Sequence, residues 1–290
     1  MKSPGAQILR SGWRLIASAV GKFLSDNGLF LASALAFNLL LYFIPLSLLM
    51  ISLLGYTVLD SERAMQEVQS ALKAFLPQSQ QALADNLTAI IVNRGLLGVF
   101  GLASFILFST FLFGSIRTVL NRVFQVQQER TFVKGLAIDL LMVGLTALLL
   151  LLAVGATWFL TLAGAFAERY PSWSTLLQPG LGALGKLFGV AATAILFYVL
   201  YRFSPAATLS GRALIVASVT GTGLFQLTKW GFVWYVEIAR QNLELYGALG
   251  ALMFLFVWLY CVSVVFITGA EVGWACDHER PEGDRSQGGP

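Results

Sequence analysis

Residues Leu29–Leu59 read LFLASALAFNLLLYFIPLSLLMISLLGYTVL, a run of 31 positions without one charged side chain. About 20 apolar residues cross the hydrocarbon core of a bilayer as a helix, so this stretch spans it with length to spare. It is too long for the apolar region of a secretion signal and lacks the small-residue cleavage site such a signal needs. Further apolar runs follow at Leu96–Ile116, Leu136–Phe166, Leu181–Tyr201, Leu214–Trp234 and Leu249–Thr268. The expected fold is all-α: a polytopic membrane protein with six transmembrane helices. Composition agrees, since the chain is 57% hydrophobic and 12% charged, against about 25% charged in soluble domains.

Cytoplasmic flanks of membrane helices carry an excess of Lys and Arg. Lys2, Arg10, Arg14, Lys22, Arg117, Arg122, Arg130, Lys134, Arg202, Arg212, Arg280 and Arg285 fall on one side of the six spans. Arg63, Lys73, Arg94, Arg169, Lys186 and Arg240 fall on the other, and Lys229 lies within a span. The heavier side holds both termini, which places them in the cytoplasm. Its charge suits anionic lipid headgroups, and no nucleic-acid partner is implied. Cys261 falls inside the sixth span and Cys276 just beyond it, so no disulfide framework is implied.

Residues 1–28 form the cytoplasmic N-terminal segment. Within it Ile8, Leu9, Trp13, Ile16, Val20 and Phe23 recur at helical spacing, with Arg10 and Arg14 on another side, as in a helix lying in the membrane interface. The transmembrane domain occupies 29–275. Its longest connection, 60–95, carries two amphipathic stretches separated by Pro77: Met65, Val68, Leu72 and Phe75, then Leu83, Leu87, Ile90 and Ile91. A short extracytoplasmic helical cap is the economical reading. Residues 276–290, rich in charge, Gly and Pro, read as a disordered cytoplasmic tail.

Polar groups within hydrocarbon must face protein, water or the interface. Asn38, Tyr42, Pro45, Ser52 and Tyr56 share an arc of about 80° on the first span at 100° per residue. They are candidate substrate-binding positions, although ordinary helix packing uses the same ingredients. Pro45 cannot donate to the helix ladder and frees a carbonyl near mid-membrane. On the fifth span Gln226, Lys229, Glu237 and Arg240 share a second such arc. Lys229 is either a contact for an anionic headgroup, with Glu237 as partner, or an anchor reaching the outer interface. Ala213, Ala217 and Gly221, and Gly185 with Gly189, place small residues every fourth position, a pattern that permits close backbone approach. Near the cytoplasmic boundary lie Arg117, Asn121, Asp139, Arg202 and Glu271. Interfacial anchoring explains them singly, and a layer of ion pairs closing the bundle, involving Arg117, Asp139, Arg202 and Glu271, explains them together.

Five strings carry a resemblance: ALAFNLLLYFIPLSLLMISLLG in the first span, FGSIRTVLNRVFQV after the second, YRFSPAA after the fourth, KWGFVWYV in the fifth, and YGALGALMFLFVWLYCVSVVFITGAEV through the sixth. In order and spacing, from about residue 25 to 275, they resemble the YihY/BrkB family of bacterial inner-membrane proteins. The resemblance implies six helices with cytoplasmic termini. It also brings an old ribonuclease BN label and, for some relatives, transport of lipid-like envelope components.

The residues argue against a nuclease. The single histidine, His278, is in the tail, the carboxylates are scattered, and no CxxC, HExxH, P-loop or GxSxG string occurs. Neither catalytic residues, metal nor cofactor is expected. A translocase of lipid-like or amphipathic substrates fits the polar stripes better, and without a P-loop it would draw on an ion gradient or a partner. A non-transporting scaffold is the alternative. Expected partners are membrane lipids, with an envelope protein or a second copy of the chain as further contacts.

Overall fold

A computed structural model of the chain describes residues 15, 17–58, 94–128, 130–168, 171–207 and 209–278. Of the expected cap at 60–95, residues 60–93 lie outside the described residues, as do most of the N-terminal segment and the tail after His278. Every regular element among them is helical: α1 (17–25), α2 (Gly28–Val58), α3 (Arg94–Val123), α4 (Phe132–Glu168), α5 (Pro171–Phe203) and α6 (Gly211–His278). Helices satisfy their own backbone groups, which is the requirement hydrocarbon imposes.

Among the described residues, five stretches are long and apolar enough to cross a membrane: Gly28–Ser47, Val99–Val123, Phe132–Ala153, Gly182–Phe203 and Leu252–His278. The expected span at Leu214–Trp234 is helical but is not among them. Thr220, Thr222, Gln226, Thr228 and Lys229 dilute its apolar content, and two glycines lie between them. It is also not a separate helix, because helical structure runs unbroken from Gly211 to His278. A straight helix of that length would put Gly221 and Gly269 about 70 Å apart. Instead, a Cβ placed on Gly269 would lie 2.9 Å from the Gly221 Cα. The chain therefore reverses between Tyr235 and Phe254, whose rings are 5.3 Å apart, and α6 consists of two antiparallel arms. Phe232 and Trp258, with ring centroids 4.8 Å apart, join the arms further along.

The chain divides into two compact units: residues up to Phe37 together with those from Phe113 onward, and Asn38–Leu112. In the first, small residues bring α5 and both arms of α6 together. Gly273 leaves so little room that a Cβ there would come within 2.6 Å of the Ala217 Cβ and 3.1 Å of the Ala213 carbonyl. The predicted Ala213, Ala217 and Gly221 stripe is thus one side of a contact whose other side is Gly269 and Gly273, four residues apart. Dispersion and close carbonyl contacts hold such a seam in a membrane, where apolar burial provides no drive. Tyr201 is fully buried beside it and donates its hydroxyl to the Phe266 carbonyl at 2.7 Å. Phe197 stacks edge-on against Phe225 and Phe266. Gly189 behaves differently from its predicted role, since nothing lies within 4 Å of a Cβ built there.

In the second unit the Tyr42 ring packs on Phe105 at 5.4 Å. Pro45 is buried within α2, which continues through it.

Candidate functional site

The first unit gathers its polar side chains where helix ends meet. α1 stops at Asn27, which takes a left-handed conformation (φ 58°), and Gly28 follows beneath the Phe23 ring, which a Cβ would strike. This corner turns α1 into α2 and points Lys22 inward. The Lys22 side chain is only 7% exposed, whereas Val20 and Leu24 on the same helix are exposed. A surface helix in water would do the opposite; one against lipid keeps its apolar side out and its charge on the protein.

Four groups surround the Lys22 ammonium. It pairs with Asp26 one turn on, donates to the Val123 carbonyl at 2.8 Å, lies 2.9 Å from Glu271 Oε2, and sits 4.5 Å from the centre of the Trp274 ring. Val123 ends α3, so the ammonium also meets the negative end of that helix. Glu271 lies on the returning arm of α6 and is completely buried. Its approach to Lys22 is an ion pair and not a well-angled hydrogen bond; both its oxygens, and the Trp274 indole Nε1, are without hydrogen-bond partners among the described residues.

A second group lies at the α3–α4 corner. Gln125 is left-handed (φ 52°); its N–H donates to Arg122 O at 3.1 Å and that of Val126 to Asn121 O at 2.9 Å, the two bonds of a Schellman cap. Arg117 on α3 reaches Asp139 on α4, Nη2 to Oδ2 3.1 Å, and Asp139 is 2% exposed. The guanidinium lies where a Cβ on residue 135 would fall, so Gly135 is what lets it pass. Arg130 donates to the carbonyls of Phe203 and Ser204, each at 3.3 Å, at the end of α5. Burial and then the Arg117 charge push its guanidinium down from the usual range, with Asp139 opposing. Asn121 Oδ1 accepts from the Ala206 N–H at 2.8 Å. Ser210 caps the start of α6 and bonds Asp277 in the last turn of the same helix. The start of α6, the ends of α3 and α5, and the close of α6 are thereby stitched into one polar layer.

Of the predicted layer, Arg117 and Asp139 pair with each other. Glu271 belongs to it too, but its partner is Lys22. Arg202 has no carboxylate partner among the described residues and is half-buried in the last turn of α5. Lys22, Asp26, Arg130, Ser210 and Asp277 are not legible from the sequence as members.

The predicted substrate positions divide. Asn38, Tyr42 and Pro45 are half-buried or buried in the second unit. Gln226 is half-buried, and Lys229 and Glu237 are exposed, on the outgoing arm of α6 in the first. Lys229 sits among exposed Leu227, Trp230, Val233 and Trp234, with no carboxylate partner among the described residues. The side chains of Ser52, Tyr56 and Arg240 lie outside the described residues.

Among curated proteins the chain is similar to UPF0761 membrane proteins. One from Pseudoalteromonas atlantica is 28% identical over 80% of this chain and 77% of its own length. Another, from Alteromonas mediterranea, is 27% identical over 84% of each. A longer one from Prosthecochloris aestuarii is 28% identical over 94% of this chain and 63% of itself. No solved structure matches. Residues 19–289 match the family described as Virulence factor BrkB. With that match over nearly the whole chain, and with helices built to cross a membrane repeatedly, the protein is a multi-pass membrane protein belonging to the virulence factor BrkB family.

Proposed function

We propose that this chain is a bacterial inner-membrane translocase for a lipid-like or other amphipathic envelope substrate, crossing the membrane six times with both termini in the cytoplasm. The observation that carries this reading is the polar layer. Amid the apolar packing of Leu120, Val123, Leu200, Leu209 and Leu214, its helix ends are also bridged by single ion pairs and by bonds from side chains to carbonyls. A buried ion pair gives little net stability over an apolar equivalent, so its presence points to a specific or switchable contact.

The six-span topology draws on two supports. The outgoing arm of α6 from Gly211 is long enough to cross, at about 1.5 Å per residue, and the starts of α4 and α6 and the ends of α3, α5 and α6 all meet in the layer. The bias of Lys and Arg assigns that layer to the cytoplasmic side. Within this reading Asn38, Tyr42 and Pro45, and separately Gln226, Lys229 and Glu237, are substrate-facing positions. Arg117, Asp139, Glu271 and Lys22 form the cytoplasmic gate. Membrane lipids are its partners, with an envelope protein or a second copy as further contacts; no enzymatic step, metal, cofactor or nucleic acid enters.

The alternative, a non-transporting scaffold, is favoured by one observation: the seam at Gly221 and Gly269 leaves no space between the arms of α6. Reconstitution into liposomes with a leaflet-specific reporter of labelled lipid separates the two.

A further inference from the structure

The environment of Lys22 Nζ is a built receptor for a primary ammonium. Glu271 supplies a carboxylate, Val123 a carbonyl at a helix C-terminus, and Trp274 an aromatic face, while Asp26, on the same corner as Lys22, moves with it. Charge, hydrogen-bond acceptance and cation–π attraction all select a compact cation with N–H donors. One ammonium also leaves the cradle short. The ammonium donates to Val123 and pairs with Asp26 and with Glu271 Oε2, yet neither Glu271 oxygen nor the buried Trp274 Nε1 has a hydrogen-bond partner among the described residues. Glu271 is completely buried, so its spare oxygen is not served by bulk water. A free acceptor and a free donor beside an ammonium site match a ligand larger than a lysine head, one carrying hydrogen-bonding groups next to its nitrogen. Lys22 is carried on α1, a short helix whose Val20 and Leu24 are exposed.

We propose that this cradle is a ligand site for a primary ammonium, filled by the chain's own Lys22 at rest and by the ammonium of an amphipathic substrate when α1 swings away. The proposal rests on the translocase reading and narrows its substrate class to amphipaths with a primary amine. Lys22 is then a tethered competitor, lowering the apparent affinity of the free ligand by the fraction of time it occupies the site.

The test uses binding, so it stands apart from any transport assay. Purified full-length protein in detergent is titrated with dodecylammonium, with dodecyltrimethylammonium, which keeps charge and tail but has no N–H, and with ethylammonium, which has no tail. Lys22→Ala should bind dodecylammonium about tenfold more tightly than the unaltered chain, because the competitor is gone. Dodecyltrimethylammonium should gain nothing, and Lys22→Ala with Glu271→Gln should lose the gain. Equal gain for ethylammonium would assign the site to soluble amines; gain confined to dodecylammonium assigns it to membrane amphipaths. Should Lys22→Ala fail to fold, hydrogen exchange of residues 17–27 in the unaltered chain serves instead: it should rise with dodecylammonium and not with its trimethyl counterpart. Equal binding by the unaltered and Lys22→Ala chains, or an equal response to both dodecyl probes, overturns the proposal.

Discussion

Lys22 Nζ lies 2.9 Å from Glu271 Oε2, joining α1 to the last turns of α6. Both side chains are buried, but Lys22 also has Asp26, the Val123 carbonyl and the Trp274 ring, whereas Lys22 is the one cation paired with Glu271 among the described residues. Removing Lys22 therefore strands the Glu271 charge, a loss that typically exceeds the net value of the pair.

Lys22→Met keeps the stem and removes the charge. It should destabilise the detergent-solubilised protein by about 3 kcal/mol, while Glu271→Gln, which leaves a neutral hydrogen-bonding group, should cost less. The double variant should cost less than the sum of the singles, by about 1 kcal/mol or more. Unfolding midpoints of the four proteins check this; strict additivity would mean that the two residues do not interact.

Gly269→Ala forces a methyl group to within 2.9 Å of the Gly221 Cα and 2.6 Å of the Tyr201 hydroxyl. Backbone cannot yield as a flexible side chain does, so a loss of about 1–3 kcal/mol is expected. Gly189→Ala meets open space and should be neutral or stabilising, since alanine is the better helix former. The same thermal measurement compares them, and equal effects would contradict the seam.

Gln125 carries a side chain where the Schellman cap favours glycine (φ 52°). Gln125→Gly should raise stability by about 1 kcal/mol through release of left-handed strain. A fall in the unfolding midpoint would show that the glutamine side chain makes a compensating contact.

Orientation is tested by labelling intact cells. A cysteine placed between Ser61 and Asn93 should react with an impermeant reagent, and one placed after Asp277 should not. The reverse pattern would invert the proposed topology.

The sequence displayed the spans because uncharged length is a local property, visible within a single window of residues. It displayed half of the seam for the same reason, as Ala213, Ala217 and Gly221 repeat at helical spacing. Gly269 and Gly273 repeat too, but Glu271 between them draws attention to charge and away from packing. Pairing is where local reading stops. Glu271's position at a helix end places it in the layer, yet its partner is fixed by how α1 turns at Asn27, and Arg202, equally well placed by sequence, has no carboxylate opposite it among the described residues. The reversal within α6 is readable as two apolar runs, Leu214–Trp234 and Leu249–Thr268, and not as one continuous helix, because helical structure runs on through the connection despite Gly247 and Gly250.

The most direct test of the central claim is lipid movement in vesicles containing only the purified protein. A fluorescent amphipath is placed in both leaflets, and an impermeant quencher is added outside. If the chain is a translocase, vesicles with protein should lose signal beyond the outer-leaflet fraction once the driving gradient is imposed, and vesicles without protein should stop at that fraction. Intact, folded protein whose vesicles stop at the same fraction as empty ones under every imposed gradient would contradict the account and leave the scaffold reading in its place.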